Sequence, residues 1–211
     1  MVVNEKDKGE IFMSILSEPE TKLNLPAPEI SHIVDLGVDI TNRTIYFDDF
    51  EEESGQWFLQ VMNYFEGQDV KEVDLFLNSP GGDVISMFAI HDIMRNSNIN
   101  VKVTGYGQVC SAGVLILAAG NERYVTESCS WMSHEPTSGG DPDLGLRAAK
   151  SRRNWEDWSH EHWCSLMARY TPNTSDWWEK HTEKQAEYWL LGGHQIVEAG
   201  LADMCISNGF K

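Results

Sequence analysis

The chain has 211 residues and a mass of 23.9 kDa, the size of one ordinary domain. Apolar residues make up 41% and aromatics 10%, with eight tryptophans, which supplies a core and excludes a wholly disordered chain. Lys plus Arg number 16 against 33 Asp plus Glu, a formal charge of −17, and such a surface repels phosphate backbones and anionic lipid, against a nucleic-acid or membrane partner.

Residues 1–30 are charged and end in Leu25-Pro26-Ala27-Pro28, which reads as a flexible arm ahead of a single domain over 31–211. Asn42 to Phe47 reads as a short strand. Trp57, Phe58, Val61, Met62 and Phe65 recur at helical spacing over 51–66. Val73 to Leu77 is a strand that runs into a turn, Asn78-Ser79-Pro80-Gly81-Gly82-Asp83. A helix follows with Met87, Ile90 and Met94 on one face. Val101 to Thr104 is the next strand, followed by a glycine-punctuated turn and an apolar helix from Ala112 to Ala119 that Gly120 stops. Strands are expected at 123–126 and 130–133. The order is α/β.

Residues 146–190 read as long, helical and Trp-rich, with Trp155, Trp158, Trp163, Trp177 and Trp178 packing on the body or on a neighbouring subunit. Glu198-Ala199-Gly200-Leu201-Ala202-Asp203 ends a helix at glycine and returns as a short strand. Cys110, Cys129, Cys164 and Cys205 form no CxxC pair and read as reduced thiols. The start of the chain lacks a basic residue run followed by an apolar stretch, so no secretory signal is read there, and a cytoplasmic location is expected. No apolar run approaches the ~18 residues of a membrane span.

Three segments carry residues suited to chemistry. In Gln108-Val109-Cys110-Ser111-Ala112-Gly113, Ser111 sits at the mouth of an apolar helix, where free N–H groups and the helix dipole favour developing negative charge. Taken alone, such a Ser is more often an N-cap. Cys110 is the rival nucleophile, and its position reads as a buried small hydrophobe. In Ser79-Pro80-Gly81-Gly82-Asp83, two glycines allow a sharp turn and exposed N–H groups that could hold an oxyanion or pair with an extended peptide. In Trp131-Met132-Ser133-His134-Glu135-Pro136, a His stands at the end of an apolar strand. A metal site would need His134 to converge with His160, His162 or Cys164, whose alternation by two points successive side chains to different sides; no metal and no cofactor is expected.

The ordered set formed by the Pro-Gly-Gly turn, the Ser at a helix mouth and the strand-end His resembles the caseinolytic protease family ClpP. The resemblance is close over residues 40–137 and resumes at 187–206, where Gly200-Leu201-Ala202-Asp203 is similar to the family's closing turn. It implies the ClpP/crotonase-type spiral of ββα units with a protruding helical handle at about 138–180. It also implies an ATP-dependent-type serine endopeptidase subunit, with Ser111 as nucleophile, His134 as base, and the N–H groups of Gly82 and Ala112 as the oxyanion hole.

For the third triad member a gap-free count from Gly200 puts Tyr188 at the family's Asp position. One inserted residue in the Gly192-Gly193 turn puts Glu187 there, and Glu187 is chosen because a carboxylate is needed, with Glu183 in reserve. The resemblance further implies an extended peptide or unfolded-protein substrate, a homo-oligomeric ring (a heptamer or stacked heptamers) and an AAA+ unfoldase partner. The acidic Ser138-Gly139-Gly140-Asp141-Pro142-Asp143 segment and the N-terminal 30 residues depart from the family pattern, as expected of a divergent member such as a phage-encoded or accessory paralogue. Two other readings stand beside this one: a crotonase-superfamily acyl-CoA enzyme, which would want cations where Asp83 stands, and a catalytically weak structural paralogue in a mixed ring.

Overall fold

The structure is a computed structural model that describes residues 37–135, 145–184 and 187–207. The expected arm at 1–30, Pro136 and the acidic segment at 138–143 lie outside the described residues. In chain order the elements are β1 (Val38–Asp39), β2 (Thr44–Phe50), α1 (Ser54–Gly67), β3 (Glu72–Gly82), α2 (Val84–Asn96), β4 (Asn100–Cys110), α3 (Ala112–Ala119), β5 (Glu122–Thr126), β6 (Ser130–Ser133), α4 (Leu146–Tyr170), α5 (Ser175–Lys184), β7 (Tyr188–Leu191), α6 (Gly193–Glu198) and β8 (Met204–Ile206).

The hydrophobic spacing explains the helices. In α1, Phe58, Val61, Met62 and Phe65 make one buried stripe, and in α2 the stripe is Met87, Ile90, His91 and Met94. Every residue of α3 is buried; it packs on β3, β4, α2 and α4 as the central helix. Asp83 caps α2, its Oδ1 accepting from the Ser86 N–H at 2.7 Å, a contact of about 1 kcal/mol.

Strands β2, β3, β4, β5 and β8 pair in parallel in that order, with β1 antiparallel on β2. On the edge away from β3, strand β4 serves two neighbours. Its first half, Lys102 to Gly105, pairs with Glu122 to Val125 of β5, and its end, Gln108 to Cys110, pairs with Ser130 to Met132 of β6. This partner change turns the sheet, as expected of the ββα spiral.

Two expectations need correction. Residues 78–82 and 105–110 are not turns but continuations of β3 and β4. Ladder partners on both sides hold them extended: Asp49 pairs with Gly81, Phe50 with Gly82, and Ser79 with Val109. The adjustment is made by a bulge, in which β4 sets Tyr106, Gly107 and Gln108 against the single residue Asn78. The Asn78 carboxamide accepts from the Gln108 N–H at 3.1 Å while Gly107 takes φ +63°.

The stretch 146–190 is also not helical throughout. Its last residues form β7, antiparallel on β6. The first half of α4 is exposed or half-buried and burial begins at Ser159, so this helix of roughly 37 Å projects from the body as a handle. Of its tryptophans, Trp163 is buried and joins Trp178 of α5 and Trp131 of β6 in the core, whereas Trp155 and Trp158 stay exposed.

Candidate active site

Parallel register aligns the strand ends that build the site. Ser79 pairs with Val109, so two residues on Gly81 meets Ser111; Cys110 pairs with Met132, so His134 arrives beside Ser111 from the other side. The Ser111 N–H donates to the Met132 carbonyl at 2.8 Å, fixing the chain where it turns from β4 into α3. There Ser111 takes φ +52° and ψ −117°, a conformation costly to any residue with a Cβ, on the order of 1–3 kcal/mol. The strained turn lifts Oγ out of the sheet, and no capping hydrogen bond from that side chain is formed. The N-cap explanation for this Ser therefore fails.

Ser111 Oγ and His134 Nε2 are 2.9 Å apart. His134 Nδ1 lies 2.7 Å from the Glu135 carbonyl oxygen, which can only accept, so Nδ1 carries the hydrogen and Nε2 is left to accept from the hydroxyl. Gly81 has to be glycine: at φ +111° its Cβ would fall 2.4 Å from Ser111 Cβ and 3.1 Å from the Ala112 nitrogen. The space a side chain would fill is the space in front of an N–H in the first turn of α3, where intrahelical acceptors are absent. Gly82 is equally constrained, its Cβ meeting the Phe50 carbonyl at 2.2 Å.

Gly82, Ser111, Ala112 and His134 line one cleft of about 290 Å³, with Val84, Met87 and Trp163 as its apolar walls. Beyond Ser79, the edge of β3 that faced β4 has no strand beside it among the described residues, because β4 has turned into α3. Cys110 is buried, and its thiol is pushed up first by that burial and then by the charge of Glu187, which disfavours the thiolate. Cys164 and Cys129 are pushed up by burial to about 12.

Glu187 does not touch His134. Its Oε2 accepts from Trp189 Nε1 at 2.8 Å. Its backbone stands across the ladder from the histidine: Ser133 pairs with Tyr188 in the antiparallel β6–β7 ladder, and the next step sets His134 opposite Glu187. Glu183 falls in the last turn of α5, and its side chain lies outside the described residues. His160 and Cys164, one helical turn apart, share a face, with Sγ 3.8 Å from Nε2; no group of three or more His, Cys, Asp or Glu fit for a metal occurs among the described residues. Where an acyl-CoA site would want cations, Asp83 instead caps α2. No helix among the described residues is long and apolar enough to cross a membrane.

The sequence reading missed Trp189, because the strand that carries it was read as helix. The signal available was its spacing of two from Glu187, which shares a face on a strand. It also missed the cleft walls Met87 and Trp163, which reach the site only through the packing of α2 and α4.

Fold and site together define an α/β protein whose Ser–His pair sits at a strand-to-helix turn. The family model described as Clp protease matches residues 40–208, and the chain belongs to the Clp protease family. It is 28% identical over 212 aligned positions to ATP-dependent Clp protease proteolytic subunit 2 of Chlamydia trachomatis serovar D, covering 98% of this chain and 92% of that protein. It is 32% identical over 130 positions to the ATP-dependent Clp protease proteolytic subunit of Cyanophora paradoxa, covering 60% and 66%. Against ATP-dependent Clp protease proteolytic subunit 4 of Rhodococcus jostii the identity is 26% over 203 positions, covering 92% and 100%.

Proposed function

We propose that this chain is a serine endopeptidase subunit of the ATP-dependent type, cutting extended peptides inside an oligomeric chamber. The observation that carries the reading is the 2.9 Å contact of Ser111 Oγ with His134 Nε2 at a strained strand-to-helix turn. Ser111 Oγ attacks the substrate carbonyl while Nε2 takes its proton; the same nitrogen then protonates the leaving amine, and water repeats the sequence on the acyl-enzyme. The N–H groups of Gly82 and Ala112 hold the tetrahedral oxygen, each contributing about 3–4 kcal/mol of transition-state stabilisation. The substrate adds as a strand beside Gly82–Val84, along the edge that β4 vacates, with backbone contacts that tolerate many sequences.

Glu187 is the third member in this reading. In the present arrangement the Glu135 carbonyl orients His134 without a charge to offset the imidazolium. A turn of the Glu187 side chain away from Trp189 brings a carboxylate across the ladder, where opposite residues stand about 5 Å apart at Cβ. The ring assembly, an AAA+ unfoldase partner and a cytoplasmic setting belong to the same proposal. Exposed Ile85, Trp155, Trp158 and Leu191 are surfaces that ring contacts would cover.

The test is labelling by a fluorophosphonate, mapped by peptide mass, together with turnover of a quenched peptide by the native protein and by Ser111→Ala. Labelling at Ser111 and loss of turnover in the variant are expected. Equal turnover by the variant removes Ser111 from the mechanism, and an inert Ser111 in the assembled protein favours a structural subunit of a mixed ring.

A further inference from the structure

We infer that the inner end of the cleft selects, at the residue whose carbonyl is attacked, an uncharged side chain ending in a hydrogen-bonding group, and that the Ser133 hydroxyl makes the selection. The inference rests on the peptidase reading and deepens it to a substrate class. Residues alternate along β6, so Ser133 shares a face with Trp131, the face that packs on α4 and α5. Ser133 is 3% exposed and lines the cleft, and its Oγ is fully covered and has no hydrogen-bond partner among the described residues. A buried hydroxyl left in this condition is costly and calls for a reason.

The surroundings supply one. Across the cleft stand Ser159 and Trp163 of α4 and Met87 of α2. The Ser159 hydroxyl donates to the Glu156 carbonyl at 2.8 Å, so its oxygen lone pairs can still accept. Apart from Ser111 and His134, these two hydroxyls are the polar side chains among the described residues that line the cleft. Rotation about the single χ1 bond of Ser133, among three staggered wells, turns Oγ toward the cleft. Among the described residues no Asp, Glu, Lys or Arg lines the cleft, so an ionised side chain there would be buried without a counter-charge from them. A primary amide brings both a donor and an acceptor and fits both hydroxyls. Asn and Gln are therefore favoured over Leu and Met, which match them in shape and offer no donor.

The experiment uses quenched peptides in matched pairs, Asn against Leu and Gln against Met at the cleaved position, with kcat/KM measured for the native protein, Ser133→Ala and Ser133→Thr. The native protein is expected to favour the amide member about tenfold, since a site built to hydrogen-bond rejects the analogue lacking the group. In Ser133→Ala the ratio falls to near unity, and in Ser133→Thr it recovers. Removal of the orphan hydroxyl leaves the melting temperature equal or higher, which separates selection from a structural role. An amide-to-apolar ratio identical in native protein and Ser133→Ala, with Ser111 still labelled by fluorophosphonate, overturns this inference and leaves the peptidase reading standing. Absence of labelling at Ser111 and of all cleavage overturns both.

Discussion

Ser111 holds a backbone conformation that glycine would accept more readily, and this separates its value to the fold from its value to the chemistry. Ser111→Gly releases strain of roughly 1–3 kcal/mol and gives back roughly 0.5–1 kcal/mol of chain entropy. The variant is therefore expected to unfold at a higher denaturant concentration, by about 1 kcal/mol, while peptide turnover disappears. A variant less stable than the native protein would show that the turn carries no strain. The Trp189 indole gives a second residue-scale prediction. It holds Glu187 away from His134, so Trp189→Phe keeps the ring and releases the carboxylate. The expected outcome is a rise in kcat of a few-fold in Trp189→Phe that adding Glu187→Gln cancels. Equal rates in the single and double variants would mean that Glu187 serves the strand and not the imidazole.

At the scale of elements, helix α2 is tied to the end of α4 by His91, which is 4% exposed, with Nε2 2.9 Å from Tyr170 Oη and Nδ1 2.9 Å from Asp92 Oδ1. Burial pushes the imidazole below its ordinary range, outweighing the neighbouring Asp92 carboxylate, with Arg95 and His162 adding to the lowering. The unfolded chain therefore takes up a proton first, below about pH 6.5. Between that value and the depressed folded one, the unfolded state binds more protons and stability declines as pH falls. Thermal melts from pH 7.5 to 5 should show a shallower decline in His91→Gln than in the native protein; parallel curves would mean that folding leaves the His91 proton affinity unchanged.

Much of this level was legible in the sequence, because the stripes of α1 and α2 and the apolar α3 are periodic and local. So was the pairing of Ser111 with His134, carried by the order of three motifs and by none of them alone. Strands β3 and β4 were read too short, since Pro80 and the glycines at 81, 82, 105 and 107 carry turn signals that the neighbouring ladders override. β7 was hidden for another reason: four apolar residues, Tyr188 to Leu191, are too few to tell a strand from a helical turn. The position of Glu187 depended on that strand, and so its present partner could not be read from the motif.

At the scale of the molecule, exposed Ile85 and Trp158 stand where α2 and α4 meet. Ile85 lies one turn before Phe88, and Phe88 contacts the Trp158 and His162 rings. Native mass spectrometry should find the protein at a multiple of its 23.9 kDa protomer, and Ile85→Glu combined with Trp158→Glu should shift it toward the protomer. An unchanged assembly would place the contacts on another face. Arg123 closes the fold at the opposite end of the sheet, its guanidinium paired with the Asp203 carboxylate and donating to the Tyr170 carbonyl at 2.8 Å.

The bulge of β4 opposite Asn78 gives that strand slack in the sheet. Pulled flat, β4 would advance by two positions, and Ser111 would stand across from Asp83 in place of Gly81, some 6–7 Å along the strand. An even step keeps every side chain of the strand on its own face, while the buried helix α3 that follows would have to move with it. Ser111 and Gly81 would then be parted, so the bulge is what holds the two side by side.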